Sequence, residues 1–275
     1  MSVLSEADAA RAREAVLEAG RIAMRWFRQP HEKWEKGPGQ LVTEADLAVD
    51  RFLRGALVGA GAAAWLSEES EDDRRRLGAA EVWVVDPIDG TRSFTDGVAE
   101  FTISVALLRD GRPALGFVYN PATEELFEAA HGKGAMLNGE PMRVSRITSL
   151  DDAHIVASRF ESRRRNFAAL VPTAALSSLG SLAYKLALVA AGRYDGYLSW
   201  RRTNDWDIAA AVLLLEEAGG RITDAGGNPL TLNQPEPVHS GILAAGSALF
   251  PALLAATAGA NAAYRADRRA RGMPD

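Results

Sequence analysis

The run from Glu81 to Thr91 constrains this chain more than any other, because the apolar, strand-like Val82-Trp83-Val84-Val85 empties into Asp86-Pro87-Ile88-Asp89-Gly90-Thr91. Proline fixes its own φ and restricts Asp86 to extended geometry, while glycine lets the backbone pass close to a ligand. One rigid turn thus aims two carboxylates three residues apart, which suits a hard cation and a phosphate. Asp-Pro and Asp-Gly are also ordinary turn dipeptides. The turn by itself does not make a site.

At 275 residues and 47% hydrophobic, the chain can bury a sizeable core, as one large domain or as two closely packed halves. A formal net charge of -5 argues against a nucleic-acid partner, since such proteins present a basic face to phosphates. A small anionic substrate stays open, because a bound divalent ion can invert the local charge of acidic ligands. The sequence has no cysteine, so disulfides, thiolate nucleophiles and sulfur-ligated zinc are excluded. Met1 to Glu6 carries neither a basic stretch nor an apolar core, and no apolar run approaches the roughly 20 residues that span a bilayer. The expectation is a cytoplasmic protein with no membrane partner.

Val16, Ile22, Ala23, Trp26 and Phe27 recur at helical spacing from Ser5 to about Arg28, with Ser5 as N-cap and Pro30 beyond the end. Residues 30–41 read as a loop, and Thr43 caps a second helix to Val58 with Asp46 in its first turn. Strands are expected at Val82 to Val85, Phe101 to Leu108, Ala114 to Tyr119 and Glu125 to Ala129. Past Leu150 strands and helices alternate: strands at His154 to Ser158, Tyr194 to Leu198, Arg221 to Thr223 and Gly241 to Ala245, helices at Ser181 to Ala191 and Asp207 to Ala218. An Ala- and Arg-rich terminal helix and tail cover Ala252 to Arg271. The chain divides into residues 1–150 and 151–275, an α+β half and an α/β half of one compact unit. Gly59-Ala60-Gly61-Ala62-Ala63-Ala64 formally fits a dinucleotide fingerprint but follows a helix-like segment and opens no clear helix. His31, His131, His154 and His239 show no metal-ligand spacing.

Two further acidic features stand beside the turn. Ser67-Glu68-Glu69-Ser70 follows the apolar Ala62 to Leu66, again placing carboxylates at a strand end, though an acidic loop is usually just solvated. Asp207, in Trp206-Asp207-Ile208-Ala209-Ala210, opens an apolar helix that reaches Gly219-Gly220, where an acid is also a normal cap. Together the features resemble the inositol monophosphatase superfamily. Its first motif stands as Trp83 to Phe94 with the strand Phe101 to Ala106 following, and its second as Trp206 to Gly220. Val42-Thr43-Glu44-Ala45-Asp46 and Ser67-Glu68-Glu69 are two more matches, and all four fall in the family's order.

The resemblance implies an α/β protein, a five-layer α-β-α-β-α sandwich of the inositol monophosphatase and fructose-1,6-bisphosphatase type, usually dimeric. It implies a magnesium-dependent phosphomonoesterase, often inhibited by lithium, acting on a small phosphate ester. Carried over by position, Glu68, Asp86 and the carbonyl of Ile88 resemble ligands of a first ion. Asp86, Asp89 and Asp207 resemble those of a second, and Glu68 with waters marks a weaker third. Oxygen-only ligation fits Mg²⁺. Thr91 and Asp46 would orient and deprotonate a water supported by Glu68 and Asp86. The amides of Gly90 and Thr91 would cradle the phosphate, unless Thr91 is only a helix cap. Lys36 resembles a family lysine near the metals, and Glu69 would stand behind the ligands.

The metal motifs do not fix the substrate. Inositol-directed members resemble one another in a glutamate seven residues before the second-motif aspartate, and here that position is Trp200. A tryptophan could stack on a base or simply pack in the core. Leu66 to Glu69, Ser178-Leu179-Gly180-Ser181 and Thr203 to Asp207 lean toward the bacterial nucleotide-directed branch. Arg201 and Arg202 could bind a second phosphate or be plain surface charges. The expectation is a 3'-phosphoadenosine 5'-phosphate-type nucleotide near Trp200 and Asp207, then inositol monophosphate, then histidinol phosphate. A non-catalytic regulatory homologue is the reading from another class.

Overall fold

The computed structural model describes residues 6–29, 32–37, 40–58, 63–158, 161, 171 and 173–270. Helix α1 (Glu6–Met24) buries Ala12, Ala15, Val16, Ala19 and Ala23, and α2 (Glu44–Val58) buries Ala45, Val49, Leu53 and Leu57. Both stripes recur every three or four residues, so each helix has one apolar face to bury. The expected loop between them instead contains strands β1 (Lys33–Gly37) and β2 (Gln40–Thr43), paired antiparallel with Lys33 opposite Thr43. The Gly and Pro signals at residues 30–39 outweighed the weaker alternation of Trp34 and Leu41-Val42 in the sequence reading. Ser5, His31 and residues 59–62 lie outside the described residues.

Among the described residues a seven-stranded sheet runs in chain order: β3 (Ala64–Ser67), β4 (Glu81–Asp89), β5 (Thr102–Arg109), β6 (Arg112–Asn120), β7 (Glu125–Ala130), β8 (Ala135–Leu137) and β9 (Glu140–Met142). Only β3 and β4 pair in parallel, which brings the carboxyl ends of both to the same edge. A short helix, α3 (Thr91–Thr95), follows β4. Strand alternation sorts the core: Trp83, Val85, Ile103, Val105 and Leu107 face α1 and α2, while Val82, Val84, Ala106 and Leu108 face the other way. Burial on both faces explains why these strands are continuously apolar.

The second sheet holds β10 (His154–Ser158), β11 (Ala175–Leu179), β12 (Gly196–Asn204), β13 (Gly220–Thr223) and β14 (Val238–Gly246), in the order β11-β10-β12-β14-β13. Helices α4 (Leu182–Ala190) and α5 (Asp205–Glu217) lie between the two sheets and touch both. Every residue of α5 from Ile208 to Leu215 is buried, the condition of a helix that is apolar all round. A side chain at Gly116 of β6 would meet the Ala210 carbonyl at 2.8 Å, so this glycine lets α5 lie directly on the sheet. On the outer face of the second sheet, α6 (Phe250–Ala270) seats Phe250 and Leu253 against Leu198, Trp200 and Leu243. The layers alternate helix, sheet, helix, sheet, helix, giving the mixed α/β architecture expected. No helix among the described residues is long and apolar enough to cross a membrane.

A polar pin joins the first sheet's edge to α5. The Arg76 side chain is fully buried and donates to both Asp72 oxygens, at 3.0 and 2.7 Å, and to Asn233 Oδ1 at 2.7 Å. The Asn233 amide in turn donates to Asp205 Oδ2 at 2.6 Å, and His239 Nε2 lies 2.7 Å from Asp205 Oδ1. The Arg76 hydrogen bond holds the Asp72 carboxyl below its ordinary value. That stabilisation is complete above the unfolded carboxylate value and is lost as pH falls through the lowered one. Asp72→Asn should therefore cost on the order of 2 kcal/mol near neutrality, because it weakens a buried charge's pairing. The difference between urea melts of the two proteins should shrink as pH falls below the ordinary carboxylate range; a difference that does not change with pH would refute the linkage.

Candidate active site

The acidic cluster forms where the parallel pair ends. Ser67 sits opposite Val85, and the Glu68 amide donates to the Val85 carbonyl at 3.2 Å, so Glu68 leaves β3 beside Asp86. The strand β4 does not stop at Val85 as expected but continues to Asp89, with a register shift between Asp86 and Asp89 where it pairs with β5. Such an irregularity re-aims side chains at a sheet edge. The Asp86 Oδ1 accepts from the Ile88 amide at 3.1 Å, which locks the turn's first carboxylate. Asp207 arrives from the second half: α5 begins at Asp205 rather than Asp207, Asn204 is its N-cap, and Asp207 Oδ2 accepts from the Asn204 amide at 2.8 Å in a capping box.

Glu68, Asp86 and Asp207 each offer an oxygen, and these three lie within 4.8 Å of one another. Asp86 is 2% exposed, and Glu68 and Asp207 are half-buried. Burial, then the charges of Glu68, Asp89, Asp207 and Asp46, pushes the Asp86 carboxyl well above its ordinary value. Burial also raises Asp207 strongly, followed by Asp89 and Glu68, with the Asn204 amide and Arg201 opposing. A cluster of oxygen acceptors this crowded is uncomfortable without a cation, and a hard divalent ion fits its donor chemistry.

Asp89 is brought to the same place by a different device. Its Oδ2 accepts from both Ser181 Oγ and the Ala183 amide, each at 2.5 Å. Ile88 is fully buried and its carbonyl accepts from Thr91 Oγ1 at 3.1 Å. The same hydroxyl lies 3.4 Å from Asp46 Oδ1. Asp46 is 1% exposed and held by Thr43, whose amide and hydroxyl donate to Oδ2 at 2.8 and 2.6 Å. The β2–α2 junction thus presents one Asp46 oxygen to Thr91 and keeps the other in the helix cap. Gly90 has φ 94° and ψ 34°, and a side chain there would meet the Glu100 carbonyl at 2.8 Å and the Ser181 amide at 3.0 Å. Only glycine fits that junction.

The remaining sequence candidates scatter. Trp200 is 5% exposed, packed in the core beneath α6, and its amide donates to Glu161 Oε1 at 3.1 Å. Arg201 is exposed, and its charge reaches Asp207 and Lys185; Arg202 is exposed on the same strand. The Glu69 amide donates to Ser67 Oγ at 3.3 Å. Lys36 lies in β1, and its side chain is outside the described residues. Among the described residues the histidines join no metal cluster. Sequence reasoning missed Ser181 and Lys185 as parts of the site's frame. In the sequence Ser178 to Ser181 reads as a substrate hint and Ser181 as a helix start, with no link to Asp89.

Comparison with known proteins follows from this arrangement. The family model described as "Inositol monophosphatase family" matches residues 5–261. The chain belongs to the inositol monophosphatase family. An inositol-1-monophosphatase of Rhizobium meliloti is 39% identical over 231 residues, covering 79% of this chain and 86% of that one. The Nus factor SuhB of Pseudomonas aeruginosa is 36% identical over 233 residues, covering 80% and 83%. Among solved structures, the extragenic suppressor protein suhB of Bartonella henselae superposes with a TM-score of 0.81 at 30% identity, covering 91% of this chain and 98% of that one. An IMPase from Thermotoga maritima gives 0.79 at 28% identity, with 92% and 96% covered. The chain is accordingly a phosphatase of the inositol monophosphatase family.

Raised carboxyls mean that the folded metal-free chain holds more protons than the unfolded one between the ordinary and the raised values. Its stability therefore falls as pH rises through that window. Divalent ions should raise the Tm more at about pH 7.5 than at about pH 5. Asp207→Asn should make the metal-free protein more stable, on the order of 1 kcal/mol, and abolish most of the ion-dependent rise. Thermal melts with and without Mg²⁺ check both; an unchanged Mg²⁺ response in Asp207→Asn would remove it from the site.

Proposed function

We propose that the chain is a Mg²⁺-dependent phosphomonoesterase whose substrate is a small polyol phosphate of the inositol-1-phosphate class. The observation that carries the reaction type is the convergence of Glu68, Asp86 and Asp207 within 4.8 Å, with the Asp46–Thr91 pair beside it. Glu68, Asp86, Asp207, Asp89 and the Ile88 carbonyl are the groups that would hold ions. When bound there, Mg²⁺ cancels substrate charge, lowers the pKa of a bound water and stabilises the leaving alkoxide.

The chain's own residues supply the rest. The Thr91 hydroxyl has one proton and two acceptors within reach, Asp46 Oδ1 and the Ile88 carbonyl. With that proton on the Asp46 side, a Thr91 lone pair accepts from the attacking water and Asp46 drains the proton through the hydroxyl. Thr43 holds Asp46 in place during that transfer. The αL backbone at Gly90 opens α3, and in this reading the amides of Gly90 and Thr91 donate to phosphate oxygens.

For the substrate, support comes from two sides. Trp200 is 5% exposed, which speaks against its serving as a stacking platform for a base, and the relative from Rhizobium meliloti carries the inositol-1-monophosphatase name. A nucleotide carrying a second phosphate is the alternative, favoured by the exposed Arg201 whose charge reaches Asp207. The Pseudomonas relative named as a Nus factor keeps a regulatory role in view.

Phosphate release from inositol 1-phosphate, 3'-phosphoadenosine 5'-phosphate and histidinol phosphate should show the highest kcat/KM for the first. Thr91→Ala should lower kcat by about 10²–10³-fold with little change in KM. Arg201→Ala should leave inositol 1-phosphate turnover near wild type. A preference for the bisphosphate that Arg201→Ala abolishes would install the nucleotide reading instead. No Mg²⁺-dependent release from any ester would leave the regulatory one.

A further inference from the structure

A distant segment of chain fixes the orientation of Asp89. Both of its donors, Ser181 Oγ and the Ala183 amide, belong to the start of α4. Ser181 is the N-cap of that helix, accepting from the Tyr184 amide at 3.0 Å, and its hydroxyl is 3.0 Å from Thr102 Oγ1. The turn before it is anchored to Glu100: the Gly180 amide donates to Glu100 Oε2 at 2.6 Å and the Ser181 amide to the Glu100 carbonyl at 3.2 Å.

What closes this turn is a lysine from its own helix. Lys185 is 3% exposed, and its Nζ donates to three consecutive carbonyls: Leu179 at 3.3 Å, Gly180, and Ser181 at 2.8 Å. An ammonium has three N–H donors, and here all three are spent on one stretch of backbone. Burying a charge is costly unless every donor is satisfied, so the arrangement is built to hold the turn. Burial lowers the Lys185 pKa to about 8, with Asp89, Glu100 and Glu161 opposing, so the group keeps its charge at neutral pH.

We propose that Lys185 is a positioning residue for Asp89: by clamping the Leu179–Ser181 carbonyls it fixes the two donors that orient the Asp89 carboxylate, and so sets the affinity of the acidic cluster for a divalent cation. The inference rests on the metal-site reading above. Its sign separates it from a plain charge effect. Lys185 as a mere neighbouring cation would repel a bound metal, and removing it would tighten binding. Lys185 as a clamp has the opposite consequence.

Mn²⁺ titrations of the full-length protein, followed by the EPR signal of the free ion, decide between them. Lys185→Met should weaken Mn²⁺ binding about tenfold, the scale seen when a partner behind a metal ligand is removed. Ser181→Ala should weaken it in the same direction, and the double variant should lose no more than the larger single loss. Lys185→Gln, which keeps two donors without the charge, should fall between wild type and Lys185→Met, and decides the question if the methionine variant does not fold. Mn²⁺ affinity that is unchanged or tighter in the folded Lys185 variants would overturn the proposal, including the case where only the Tm drops. Wild-type protein that binds no Mn²⁺ would instead overturn the metal reading itself.

Discussion

Like charges crowded away from water are the constraint on which this structure depends. Asp86, Glu68 and Asp207 present oxygens within 4.8 Å of each other, and Asp46 and Asp89 add to the same field. Left to their own electrostatics these groups would separate or take up protons. Four of them are held by donors from their immediate backbone or from a helix cap. Ile88 serves Asp86, Thr43 serves Asp46, Asn204 serves Asp207, and the α4 N-terminus serves Asp89. Stability is traded for a preformed cluster of negative charge, as is usual where function sets the arrangement.

The parts of this arrangement visible in the sequence were those decided by local geometry. The Asp86 to Thr91 turn is legible because proline and glycine dictate its backbone, and Asp46 and Asp207 because each stands as an acid at the start of a helix; that Asp207 is the third helical residue, in a capping box, is visible only in the structure. The apolar run in α5 likewise announced a buried helix. Glu68 was legible as a strand-end acid, yet its partnership with Asp86 required β3 and β4 to pair in parallel.

What stayed hidden was contact across the halves. Nothing in Gly180-Ser181 or Lys185 distinguishes a turn that carries Asp89 from a turn that merely starts a helix, because the partners lie 92 and 94 residues away. Trp200 was undecidable for a similar reason. A tryptophan on a strand packs or stacks according to which face the register turns inward, and the irregularity between Ser199 and Arg202 resets that register locally. The β1–β2 hairpin was misread because turn residues at residues 30–39 speak louder than two short strands.

The placement of α4 and α5 between the sheets also bears on how such a chain is made. Val82, Val84, Ala106, Leu108, Val118 and Phe127 form a face of the first sheet whose cover, α4 and α5, is encoded after residue 181. During synthesis from the N-terminus that apolar face emerges well before anything exists to shield it. The nascent first half is therefore the species most in need of a chaperone, and the ion site cannot assemble until Asp207 has left the ribosome.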